Sequence, residues 1–80
     1  MARISVDIDF MVDLIDFKLR YLKEEIERIL NKWNYDSSTK FLTHAKDGTL
    51  NEAEEDAIIL KNLQDQIEEL SQKKREWKNQ

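Results

Sequence analysis

The chain has 80 residues, a formal net charge of −4, one histidine, one glycine and neither proline nor cysteine. That length admits a single domain, and a lone chain of this size buries only about 60% of the surface it exposes when unfolded. The missing cysteines close the disulfide route and every thiolate metal site, and the mild acidity disfavours a non-specific grip on nucleic acid through phosphate neutralisation. Charged residues make up 38% of the chain. They are mostly Lys and Glu set beside Leu and Ile, a helix-forming composition. A fold of hairpins needs turn residues, and Gly and Pro are nearly absent.

Residues 1–6 read as an extended N-terminal arm. Ala2-Arg3-Ile4-Ser5-Val6-Asp7-Ile8 alternates apolar and polar as a short strand does, and a helix follows at once. A strand leading into two helices resembles the start of ribbon–helix–helix repressors and many antitoxins. That resemblance implies a DNA-reading strand with Arg3 among its outward residues. The sequence departs from the pattern in a first helix about twice too long and in Asp7, whose charge repels phosphate. The other reading has Ile4, Val6 and Ile8 lie as an arm on a neighbouring subunit.

The first long helix is expected over residues 7–33. Ile8, Met11, Ile15, Leu19, Leu22, Ile26, Ile29 and Trp33 recur at steps of three or four, one stripe along the whole segment. Asp9, Asp13, Asp16, Arg20, Glu24, Glu27 and Asn31 take the other side, with i, i+4 ion pairs expected from Asp16 to Arg20 and from Glu24 to Arg28. A row of Asp9, Asp13 and Asp16 reads as solvated surface, because hard cations want six to eight converging oxygens. A second stripe, Phe10, Leu14, Phe17 and Tyr21, runs beside the first and stops after the first half. So wide an apolar surface is not left in water.

Asn34, Asp36, Ser37 and Ser38 break the pattern as cap and turn formers. A short helix is expected over 37–46, carrying Phe41, Leu42 and Ala45, with Gly48 in the left-handed position after its end. His44 reads as a solvated loop histidine with no nucleophile motif beside it. Asp47-Gly48-Thr49-Leu50-Asn51 with Glu54 resembles the second half of a calcium-binding EF-hand loop. Over those twelve residues Thr43 and Ala45 stand where the first two carboxylates belong, and helix–Gly–cap–helix gives the same letters. No cofactor or metal is expected.

The second long helix covers 50–78. Thr49 and Glu52 read as a capping box. Ala53, Leu60, Leu63, Ile67, Leu70 and Trp77 then form a heptad-like seam that Lys74 interrupts, and Ala57, Ile58 and Ile59 widen it near the start. Lys73, Lys74, Arg75 and Lys78 make the one basic cluster. They complement the negative pole of the helix and, with Arg3, are the candidate nucleic-acid contacts.

Two helices of equal length and a compact linker favour an antiparallel hairpin, so the fold class is all-α, a helical bundle completed by homo-oligomerisation. One partner helix cannot cover both stripes of the first helix. A second subunit is therefore expected on Phe10, Leu14, Phe17 and Tyr21, with Ile8, Met11 and Trp77 at its margin, and a dimer is the simplest form. No run is long enough for a bilayer, and a cytoplasmic location follows as the default. The expected function is that of a non-enzymatic adaptor or inhibitor acting on a protein partner. The alternatives are a DNA-binding regulator using the arm and an oligomer with a small-ligand pocket between subunits. If the arm reads DNA, binding falls steeply with salt and Arg3→Ala abolishes it in a fluorescence-anisotropy titration; salt-insensitive or absent binding removes that alternative.

Overall fold

Ile15, Leu19, Leu22 and Leu30 lie on one side of a single helix and are the residues of that helix that disappear from solvent. In the computed structural model, which describes residues 8–78, this helix is α1, Ile8–Lys32. It is followed by α2, Ser38–Lys46, a 3-10 turn at Asn51–Ala53, and α3, Glu54–Lys78. The described residues contain no strand. The strand-like arm, with Arg3, lies outside them.

The two long helices run antiparallel. Lys32 at the end of α1 meets Asp56 at the start of α3, and Asp16 near the beginning of α1 meets Lys74 near the end of α3. The molecule is a rod of 60 × 18 × 18 Å with a radius of gyration of 16.6 Å, where a compact chain of this length would have about 12 Å. Among the described residues α1 packs mainly against α3, and α2 meets it only near one end.

The connection is built from chain-reversal chemistry. Asn34 takes a left-handed φ of 60°, which Asn tolerates better than other side chains. Around it the Tyr35 N–H donates to the Leu30 carbonyl at 2.8 Å and the Asn34 N–H to the Asn31 carbonyl at 3.2 Å, the paired bonds that close a helix end. Ser37 then starts α2: its extended backbone and its hydroxyl, accepting from the Lys40 N–H at 3.2 Å, form the N-cap. After α2, Gly48 sits at φ 90°. An added Cβ there would meet only the Asn51 side chain, at an ordinary 3.5 Å, so backbone conformation rather than crowding favours glycine.

The expected capping box does not form. Leu50 precedes the 3-10 turn with no side-chain cap, because Thr49 is held the other way. Its N–H donates to the Asp47 carboxylate at 2.9 Å, and its side chain bonds the same group, which lowers the Asp47 pKa. The expected Glu24–Arg28 pair is also replaced, with Arg28 reaching Glu25 at 3.2 Å. Asp16 is half-buried against Lys74 rather than part of a solvated face. That bond explains why a lysine interrupts the apolar seam of α3.

The densest packing is at the closed end. Leu30, Phe41, Ala53 and Leu60 form a buried cluster, with Ile26, Ile29, Trp33, Tyr35, Leu42, Leu50 and Ala57 against it. Phe41 and Leu60 are wholly inaccessible. The α2 helix is therefore the lid that turns a two-helix contact into a three-sided core. Asp56 fastens the same end, accepting from Lys32 Nζ at 2.9 Å and from the Trp33 indole N–H at 2.8 Å. The Lys32 bond first, then the Trp33 bond, hold the Asp56 carboxyl below its usual 3.8. A depressed carboxyl contributes stability that is complete above the unfolded value and lost as pH falls through the folded one. Asp56→Asn should lower stability at neutral pH by about 1–2 kcal/mol. In thermal melts the wild-type advantage over this variant should shrink as pH falls below 3.8.

Candidate interaction surface

The side chains that the hairpin leaves in water define the candidate site. On α1, Phe10 is 58% exposed, Leu14 49%, Phe17 70% and Tyr21 50%. They are spaced four, three and four residues apart, and at about 100° per residue they form a strip centred roughly 140° around the helix from Ile15, Leu19 and Leu22. Nothing in the described chain lies over that strip. Of the two apolar stripes on α1, the hairpin buries one.

The margins of the strip are charged. Asp13 and Arg20 flank one side, both exposed, and neither enters an ion pair among the described residues. Lys18 flanks the other, its ammonium 5.1 Å from the centre of the Tyr21 ring, a cation–π contact that covers part of the apolar edge. Past Tyr21 the line of the strip continues with Glu24 and Arg28, both exposed. The apolar patch is thus bounded at its C-terminal end by charge.

The other expected interface residues fall differently. Ile8 is 44% exposed and extends the patch at the start of α1. Met11 and Trp77 are half-buried. Among the basic candidates, Lys73 lies 4.0 Å from Glu69 and Lys74 is bonded to Asp16, which leaves Arg75 exposed beside neutralised neighbours.

His44 is not a loop residue. It sits half-buried in the last turn of α2, where Nδ1 hydrogen-bonds the Tyr35 hydroxyl at 2.7 Å and the ring meets Tyr35 edge-on at 5.6 Å. The neighbouring Thr43 hydroxyl donates to the Thr39 carbonyl at 2.9 Å and is not set against the imidazole. The histidine ties the linker to α2, a job in packing. The EF-hand resemblance ends in the same turn. Thr43 and Ala45 are helical, Asp47 is occupied by Thr49, and among the described residues no three His, Cys, Asp or Glu side chains gather to hold a metal.

Two hollows remain. An open groove of about 440 Å³ between α2 and α3 has Leu42, Ala45, Ala57 and Ile58 on its floor and Lys46, Glu54 and Lys61 on its rim. Ile58 is 59% exposed there and Ile59, beside it, 49%. Sequence reading placed both isoleucines only as a widening of the α3 seam and did not single out this groove. The apolar run Ala57–Leu60, too wide for one seam, was the available signal. The second hollow, about 560 Å³ along α1 and α3, is lined by Asp16, Arg20, Lys23, Glu24, Glu27 and Lys74, charges of both signs that favour no one ligand.

No protein-family model, no curated protein and no solved structure is similar to this chain. No described helix is long and apolar enough to cross a membrane. The class defined by fold and surface is therefore a two-helix rod, closed at one end by a short third helix, with an uncovered apolar strip on its outer side.

The strip and the core are separable by substitution. Phe17→Glu changes a side chain outside the hairpin core, and such changes cost within about 0.5 kcal/mol. Leu22→Glu places a charge at a position 1% exposed. Far-UV circular dichroism of dilute protein should show wild-type helicity for the first and loss of helix for the second.

Proposed function

We propose that the protein is a non-enzymatic interaction module that self-associates through the outer strip of α1 and, as an oligomer, binds and modulates a protein partner. The observation that carries the reading is the exposure of Phe10, Leu14, Phe17 and Tyr21 on a face that the described residues do not cover. Four large apolar side chains in one line are scarce on a surface that stays in water, and contiguous patches of this kind mark association sites. The thin hairpin supports the same reading, since small domains without disulfides or metals gain stability by adding a subunit.

A partner would meet the assembly at its closed end. There Ile58 remains exposed in the α2–α3 groove, held by the best-packed part of the molecule. A surface fixed by a rigid core loses little ordering entropy on binding. An adaptor or inhibitor role is the reading that an exposed docking surface supports.

Sedimentation equilibrium over a wide concentration range tests the first half of this reading. Wild type should fit a reversible monomer–dimer or higher equilibrium, and Phe17→Glu should remain monomeric at the same loading with its helicity intact. A wild-type chain that stays monomeric throughout removes self-association, and the strip then becomes a docking face for a different protein.

A further inference from the structure

We infer that the second copy lies antiparallel on α1 across a two-fold axis, with Phe10 of each copy against Tyr21 of the other and Leu14 against Phe17. The inference rests on the reading of the strip as a self-association surface and specifies its geometry. Three features of α1 lead to it.

The first is spacing. Intervals of four, three and four residues read the same from either end, so the strip turned end over end falls on itself in register. A two-fold interface requires this self-complementarity, each patch being its own partner. The alternation of four and three also matches the heptad seam of paired helices, where large and medium side chains interlock in layers.

Charge is the second. In the antiparallel register Asp13 of each copy comes beside Arg20 of the other, within about 3 Å along the axis, giving two symmetric ion pairs on one margin. The same two residues are about 10 Å apart within one helix and cannot pair there. Asp13 and Arg20 are both exposed and outside every ion pair of the described chain, so this interface gives each a counter-charge.

The third is what the parallel arrangement would do. In-register parallel helices would continue the seam into Glu24 on Glu24 and Arg28 on Arg28, like charges in direct opposition. Antiparallel pairing carries these residues beyond the first turn of the other α1, and it also opposes the helix dipoles.

The geometry has a consequence for shape. With the strip roughly 140° from the buried side of α1, the dimer is a layered array, α3–α1–α1–α3, rather than a square four-helix bundle. The closed ends, each about 25 Å from the axis along α1, lie at opposite poles and carry one α2–α3 groove apiece.

Charge reversal tests the register. Asp13→Arg alone sets arginine against arginine across the interface, and Arg20→Asp alone sets aspartate against aspartate. Each should weaken the dimer about tenfold or more, two attractive surface pairs having become repulsive. Mixed one to one, the two variants recover both attractive pairs, and sedimentation velocity should show a heterodimer near wild-type affinity. In a parallel dimer the mixture leaves repulsions in place and is not rescued.

Orientation is read independently by single cysteines, which report cleanly because the chain has none. A short thiol crosslinker should join Phe10→Cys to Tyr21→Cys in a mixture and should not join Phe10→Cys to itself, its two copies lying roughly 16 Å apart. A wild-type dimer in which Phe10→Cys links to itself, or in which mixing fails to rescue, overturns the antiparallel seam and leaves self-association standing. A wild-type monomer overturns both.

Discussion

A helix in a two-helix hairpin has one neighbour, and one neighbour covers one stripe. The α1 helix carries two. Ile15, Leu19 and Leu22 turn inward and are buried, and Phe10, Leu14, Phe17 and Tyr21 are left outside. A third full-length helix would have covered them. The chain spends its remaining residues instead on α2, nine residues long and lying across one end. The core is consequently strong where α2 caps it and only a line of contact elsewhere.

The polar contacts answer the same geometry. At the closed end Asp56 joins Lys32 and Trp33, and His44 joins Tyr35, so the polar tips of the aromatics around the Phe41 cluster find partners at its edge. Toward the open end, where apolar contact thins, Lys74 and Asp16 bond across the two helices. Partly solvated ion pairs of this kind contribute about 1 kcal/mol. Their place in the rod is to fix the pairing of α1 with α3, while hydrophobic burial at the other end supplies the driving force.

The uncovered strip connects structure to the proposed function. Its charged margins, its palindromic spacing and the charges that end it after Tyr21 make it a bounded patch rather than a general excess of hydrophobicity. The α2–α3 groove with Ile58 is a separate feature at the far end of the rod. In the proposed function, self-association and partner contact would therefore use different residues.

By itself the sequence determined the helical class and the presence of two stripes on α1, because periodicity at three and four residues is a local property of one helix. It also marked the left-handed turn at Gly48 and placed the start of the short helix near Ser37, where local side-chain chemistry decides the outcome. Which stripe turned inward, and what each polar group bonded, were settled by tertiary structure. Thr49 looked like a cap until Asp47 took its hydrogen bonds, and His44 looked solvated until Tyr35 came back across the linker. Asp16 had a ready partner in Arg20 four residues on, yet α3 brought Lys74 alongside it from 58 residues away. Local pattern fixes which groups are available. Only the folded chain, by bringing distant segments together, decides which of them meet, and so the apolar run Ala57–Leu60 signalled surplus surface but not the groove that α2 makes with it.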